Sequence, residues 1–331
     1  MSGPFPGGFF DTRYNTKFNR GAALVIRLGI DLGGTKTEII ALDGAGRELS
    51  RRRRPTPQGD YRAILAMVAQ LVVDTENDLG QQGTLGIGTP GALSMRTGLL
   101  KNSNSVCLNG QPIKQHLEEM LQREVRIAND ANCFALSEAV DGAGHDAEVV
   151  FGVILGTGCG GGIVVNRHVL TGINAIAGEW GHNPLPLPTA ADLPMPTCFC
   201  GHVGCNELYV SGTGLARDHL ALTGEAATAE SIVWRSESGD AVCEASLLRY
   251  EERLARALGG GINILDPDVV VLGGGMSNVT RLYENVPRLW ARTITSDFVD
   301  TRLLRNPSLR RRRCTTACRS DRAGAHTTRR S

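Results

Sequence analysis

Apolar residues run in short bursts that glycine interrupts. Ile26-Arg27-Leu28-Gly29-Ile30-Asp31 has the pattern of a buried strand. Thr37 to Leu42 and Glu48 to Arg53 flank Asp43-Gly44-Ala45-Gly46, which predicts two strands joined by a hairpin turn. Within 61–79, Ile64, Leu65, Val68, Leu71 and Val72 recur at helical spacing. Leu85 to Gly88 predicts a short strand and Leu117 to Leu121 part of a helix. Val125 to Ala128 predicts a strand, and Ala131 to Val140 another helix.

The second half repeats the opening theme. Val149 to Leu155 is an apolar strand that runs into Gly156-Thr157-Gly158, and Ile163 to Val165 follows a glycine run as a second strand. A helix around 241–264, a strand from Val269 to Leu272, the turn Gly273-Gly274-Gly275 and a helix around 278–293 complete the pattern. The fold class is α/β, and the repeated strand, glycine turn, strand motif predicts two related α/β halves. The expected division is 26–145 and 146–300. Residues 1–25 lack periodicity and are expected to be a disordered extension. Residues 301–331 form a basic tail, also expected to be disordered.

Composition narrows the class. At 331 residues and 41% hydrophobic content, the chain can bury a large core. No apolar run approaches the ~20 residues that cross a bilayer, and no secretory signal is evident. Nine cysteines form no even framework, which favours a reducing compartment, metal binding and a cytoplasmic location. Net charge is +1, yet residues 301–331 hold ten arginines and one aspartate, so the body is net acidic and carries no basic signature for nucleic acid.

Three glycine turns suit a nucleotide. Asp31-Leu32-Gly33-Gly34-Thr35-Lys36 lies between two strands, where backbone N–H groups can approach a phosphate and Asp31 can hold Mg²⁺ through water. It is neither a Walker A loop nor a dinucleotide fingerprint, and a plain hairpin explains it as well. Gly156 to Gly162 is a second such turn, and together the two could clamp a polyphosphate. Gly275, in the third turn, would let an adenine lie against backbone.

Asp130 falls between a strand and a helix in Arg126-Ile127-Ala128-Asn129-Asp130-Ala131-Asn132. It is either an N-cap or a general base for a hydroxyl, and the two roles are compatible. His182, Cys198, Cys200 and Cys205 suit a four-coordinate zinc site, with Gly201 and Gly204 allowing a tight knuckle. Glu179 and Glu207 flank that segment. Carboxylates beside a histidine can grip sugar hydroxyls, although Glu207 also reads as an ordinary surface residue. Cys107, Cys133, Cys159 and Cys243 read as packing residues.

GIDLGGTKT (29–37), IGTPG (87–91), NDANC (129–133), LGTGCGGGI (155–163), GEWGHNPL (178–185), CFCGHVGC-x-E (198–207) and DPDVVVLGGGMSN (266–278) together resemble the ROK family of sugar kinases and transcriptional repressors. The likeness covers roughly residues 26–295. KNSNSVCLNGQP (101–112) makes the chain look most like bacterial fructokinases of the manno(fructo)kinase type. The resemblance implies an actin-like, ribonuclease H-like pair of α/β domains flanking a catalytic cleft, and a homodimer. It implies ATP-dependent phosphorylation of a hexose, expected to be fructose, with Mg²⁺ and a structural Zn²⁺. Asp130 would be the general base, and Asn104, Asn129, Glu179, His182 and Glu207 would hold the sugar. Gly29, Ile30, Asp31, Leu32, Gly33, Gly34, Thr35 and Lys36 would hold ATP with Gly158, Cys159, Gly160, Gly161, Gly162, Ile163, Val164 and Val165. His182, Cys198, Cys200 and Cys205 would bind the zinc.

Other functions stay open at this point. The motifs also suit an N-acetylglucosamine or glucose kinase. A sugar-responsive repressor would need a helix-turn-helix module, for which residues 1–25 are too few and too glycine-rich. Two departures bear on activity. Ala92 stands where related kinases carry a polar residue. The final helix with its HGDxSGxRGAA-like motif is replaced by SLRRRRCTTACRSDRAGAHTTRRS, which points to an out-of-frame or truncated terminus from about 305 and to an impaired sugar-binding relative.

Overall fold

The computed structural model describes residues 26–306. The expectations for 1–25, and for the tail beyond 306, lie outside the described residues. The chain divides into two units between Asn129 and Asp130, earlier than the expected boundary at 145. The helix that begins at Asp130 therefore belongs to the second unit.

The first unit contains β1 (Arg27–Leu32), β2 (Lys36–Leu42), β3 (Glu48–Pro55), α1 (Tyr61–Leu79) and β4 (Thr84–Thr89). A short pair, β5 (Ala92–Leu93) with β6 (Leu100–Lys101), precedes α2 (Ile113–Leu121) and β7 (Arg126–Asn129). The sheet order is β3-β2-β1-β4-β7, with the first two pairings antiparallel and the last two parallel. Local chemistry sets the ends of these elements. Asp43 Oδ1 accepts the Ala45 and Arg47 amides at 2.9 and 2.8 Å, which closes the β2–β3 turn. Asp60 caps α1 through the Ala63 amide, and Gly80 ends it in the left-handed region at φ 67°. Ile30, Leu28 and Ile39 meet Ile64, Val68 and Leu71 of α1 in one core. The edge strand β3 carries Arg51, Arg53 and Arg54, which pair with Glu38 of β2 and Asp74 of α1.

The second unit opens with α3 (Asp130–Asp141), β8 (Val149–Leu155), β9 (Cys159–Val165) and β10 (His168–Val169). After a long loop come α4 (Glu207–Val210), α5 (Gly212–Thr223), α6 (Ala229–Glu237), α7 (Ala241–Leu265), β11 (Val269–Gly273), α8 (Leu282–Trp290) and β12 (Arg302–Arg305). Its sheet order, β10-β9-β8-β11-β12, has the same sequence of antiparallel and parallel pairings as the first. Two related halves are thus present. Side-chain alternation buries both faces. Val269 and Val271 pack with Phe134 and Ala135 of α3, whereas Val270 and Leu272 pack with Leu254 and Leu258 of α7.

Two sequence expectations are corrected here. Residues 302–305, placed in the disordered tail, pair in parallel with β11 and occupy in the second sheet the place of β7 in the first. The run Gly160-Gly161-Gly162, read as a turn, is the body of β9. These glycines serve packing. A Cβ at Gly162 would fall 2.6 Å from the Ala131 carbonyl oxygen, and one at Gly161 would fall 2.6 Å from Trp180 Cδ1. The strand's period of two sends 160 and 162 toward α3 and 161 toward the Trp180 segment. Among the described residues, no helix is long and apolar enough to cross a membrane.

Gly162→Ala should lower stability by about 1–3 kcal/mol, the range for overpacking a tight contact. A thermal melt matching the wild type would refute the close approach of α3.

Candidate active site and metal centre

Each unit is described by itself. In the first, the β1–β2 hairpin closes tightly: the Gly33 amide donates to the Lys36 carbonyl at 3.1 Å. Thr56 fastens this turn, its hydroxyl donating to the Gly33 carbonyl at 2.7 Å. Gly33, Gly34, Thr35 and Lys36 form the turn, with Asp31 near the end of β1. Gly29, Ile30 and Leu32 lie within β1, and the Ile30 and Leu32 side chains belong to the core. Those side chains cannot also contact a nucleotide.

Asn104 is exposed in the loop after β6. That loop is shaped by Asn109, whose side chain accepts the Ser103 amide and donates to the Ser103 carbonyl, both at 2.8 Å. Asn129 ends β7 and donates from Nδ2 to the Gly91 carbonyl at 3.1 Å. Gly91 sits at φ 86°, where a Cβ would fall 2.3 Å from the Lys101 carbonyl oxygen. The IGTPG turn, the Asn104 loop and Asn129 therefore form one connected group.

In the second unit, Asp130 begins α3 and its Oδ1 accepts the Ala131 amide at 2.9 Å. That contact is to the adjacent amide, whereas an N-cap engages the amide two or three residues on, so Asp130 is the first residue of the helix and not its N-cap. Glu207, at the start of α4, accepts the Cys159 amide on Oε2 at 2.9 Å. The same oxygen lies 2.7 Å from where a Gly158 Cβ would be, so the carboxylate rests against the entry to β9. Burial, then the Glu207 charge, push the Cys159 thiol well above its ordinary range, which keeps it neutral and supports a packing role.

Glu179 precedes the short helical turn Trp180–His182. Trp180 Nε1 donates to the Gly160 carbonyl at 3.1 Å, and a Cβ at Gly181 would fall 2.2 Å from the Cys159 carbonyl oxygen. Asn206, buried between Cys205 and Glu207, donates from its side chain to the Trp180 carbonyl at 3.0 Å and from its backbone to the Asn183 carbonyl at 2.8 Å. Sequence reasoning missed this tie, since no motif marks Asn206.

The ligand atoms of His182, Cys198, Cys200 and Cys205 all lie within 4.8 Å of one another. His182 Nδ1 is 3.7 Å from Cys198 Sγ, and Cys200 Sγ is 3.6 Å from Cys205 Sγ. Zinc bonds of about 2.3 Å to sulfur and about 2.0 Å to nitrogen give tetrahedral edges of about 3.5–3.8 Å. The residues therefore fit a zinc ion. Gly201 and Gly204, at φ 90° and 75°, make the knuckle turns. Burial raises the Cys198 thiol and pushes that of Cys205 up to about 12, whereas the hydrogen bond from the His202 backbone lowers that of Cys200. Two raised thiols mean that a bound cation must displace protons, so metal affinity falls as pH falls.

A buried ion cluster holds the loop between His182 and Cys198. Asp192 accepts from Arg253 at 2.7 Å and from Arg256 at 3.0 Å, and the Tyr209 hydroxyl donates to the Asp192 carbonyl at 3.1 Å. Both arginines belong to α7, which thus braces the metal loop and α4 together.

A pocket of ≈ 930 Å³ lies wholly in the second unit, lined by Gly156, Thr157, Thr213, Trp234 and Gly275 among others. It joins the second and third glycine turns. Gly156 is fixed to α5, its carbonyl accepting the Gly212 amide at 2.7 Å, and Thr213 donates to the Thr157 carbonyl. The β9 residues expected to hold ATP do not line it. Ile163, Val164 and Val165 lie toward the other end of β9, where Val165 pairs with Val149, and the first two are buried.

The sequence profile of the ROK family matches residues 27–317. N-acetyl-D-glucosamine kinase of Pectobacterium atrosepticum is 41% identical over 263 residues, covering 78% of this chain and 86% of that protein. The ROK hexokinase of Thermus thermophilus has a similar structure, with TM-score 0.78 and 30% identity over 89% of this chain and 97% of that one. The ROK family glucokinase of Streptomyces griseus, solved with glucose and AMPPNP, gives TM-score 0.72 and 25% identity, covering 90% and 98% of the two chains.

Cys200→Ser should bind metal weakly, so that elemental analysis after dialysis finds well under one zinc per chain. A full complement of tightly held zinc in that variant would refute the four-ligand assignment.

Proposed function

The chain belongs to the ROK family, and from that premise we propose that it transfers the terminal phosphoryl group of ATP to N-acetylglucosamine. At the level of reaction class it is an ATP-dependent sugar kinase of actin-like fold. One observation carries the choice of sugar: the 41% identity to an N-acetyl-D-glucosamine kinase extends over 78% of the chain. Fructose, suggested by the 101–112 segment, is the second reading.

In this reading Asp130 takes the proton from the attacking sugar hydroxyl through Oδ2. The hydroxyl oxygen bonds to the γ-phosphorus, the bond from that phosphorus to the β–γ bridging oxygen breaks, and ADP leaves. Asn104, Asn129, Glu179, His182 and Glu207 hold the sugar. The hydrogen bond from the Cys159 amide orients the Glu207 carboxylate and leaves Oε1 to accept from a sugar hydroxyl. With Nδ1 turned to the zinc ligands, His182 Nε2 is left to bind a ligand. The Gly33–Lys36 and Gly156–Gly158 turns would each offer backbone to phosphate, and Asp31 would hold Mg²⁺ through water. The ion would neutralise phosphate charge, and most of the remaining catalysis is positioning.

Coupled ADP release with N-acetylglucosamine, fructose, mannose and glucose tests the assignment. The highest kcat/KM is expected with N-acetylglucosamine; a higher value with fructose would replace it by the second reading. Asp130→Asn should lower kcat by about a hundredfold to ten-thousandfold, the usual range for a general base, while sugar binding persists in calorimetry. Undiminished turnover would remove Asp130 from that role.

A further inference from the structure

Trp234 stands apart from the other tryptophans of the chain. Trp180 and Trp290 are 6% and 2% exposed, whereas Trp234 is 66% exposed on α6. It lines the ≈ 930 Å³ pocket together with Glu230 and Glu237 of the same helix. Those glutamates lie four residues before it and three after, so the three side chains share one helix face. Thr228 caps α6 through the Ser231 amide, which fixes the helix that carries them. The glycine wall is open: Cβ atoms added at Gly156 or Gly275 would meet nothing within 4 Å.

We infer that Trp234 is the stacking platform for the nucleotide base, and that it sets a preference for purine nucleotides. This rests on the ATP-dependent kinase reading and deepens it by naming the residue that selects the nucleotide. The two ends of the pocket differ in charge, since its acidic side chains, Glu230 and Glu237, both sit on α6. The carboxylates of Glu230 and Glu237 repel phosphate but accept hydrogen bonds from an exocyclic amine or from ribose hydroxyls. The Gly156–Thr157 turn offers backbone and no negative side chain. The base therefore belongs on α6 and the phosphates on the turn. An indole face gives a purine more stacking area than a pyrimidine, and its open position costs no core packing when it is filled. Pocket volumes of about 300–1,000 Å³ accommodate ligands of nucleotide size.

Three measurements on the full chain test this. Trp234→Ala should raise the KM for ATP about tenfold or more, within the range of base–aromatic stacking, with kcat and the sugar KM unchanged. Trp234→Phe should restore most of the affinity. Inorganic tripolyphosphate, competing with ATP but lacking a base, should inhibit wild type and Trp234→Ala equally. ADP should quench wild-type tryptophan emission saturably, and Trp234→Phe should lose that response. An unchanged ATP KM in Trp234→Ala, or equal weakening of tripolyphosphate, would overturn the platform. So would ADP binding by calorimetry without any change in emission. Saturable quenching by ADP in a wild-type protein that phosphorylates no sugar would support the platform and sink the kinase reading instead.

Discussion

Strand β9 carries no side chain at three consecutive positions, and the second unit is built around that gap. Helix α3 descends onto Gly160 and Gly162 until Ala131 and Ala135 touch the strand, and Trp180 presses onto Gly161 from the other face. A β-carbon at Gly161 or Gly162 would overlap ring or backbone atoms, and one at Gly160 would rest against Ala131 Cβ at 3.5 Å. The strand is thus pinched between the helix that begins with Asp130 and the turn that carries Glu179 and His182. Its first residue, Cys159, also donates the hydrogen bond that holds Glu207. Four proposed functional side chains take their places from one short strand.

That arrangement would be loose without supports further out. Asn206 joins the Trp180 turn to α4, and Asp192 ties the metal loop to Arg253 and Arg256. Buried ion pairs contribute little net stability, because desolvation offsets attraction, but they permit few alternative geometries. The proposed zinc ligands would act in the same sense, fixing His182 through a side chain instead of through the fold's core. Phosphoryl transfer depends on placement to fractions of an ångström, so rigidity near the acceptor matters more than total stability.

Much of the fold was legible. The helix at 61–79 and the strand at 149–155 match α1 and β8 residue for residue, because long amphipathic or apolar runs leave little choice. The gathering of His182, Cys198, Cys200 and Cys205 at one place was also legible, since that spacing has few other uses. The glycines of β9 were misread because sequence marks a residue's freedom, not the neighbour that requires its smallness. α5 and α6 went unassigned; their caps, Ser211 and Thr228, are weak signals alone. Asn206 and Trp234 carry no motif, and their significance appears only once distant segments meet. Residues 302–305 were hidden by composition: two arginines flanking two leucines look like tail until β11 supplies a partner.

Those same arginines give the second sheet a charged margin. β12, at one edge of its sheet, begins and ends in arginine, as β3 at one edge of the first carries Arg51 to Arg54. An open strand edge is a template for pairing with another chain, and long charged side chains along it, here held in ion pairs with Glu38, Asp74 and Asp146, obstruct a second copy approaching in register. Both sheets thus carry on one margin a built-in deterrent to strand-by-strand polymerisation.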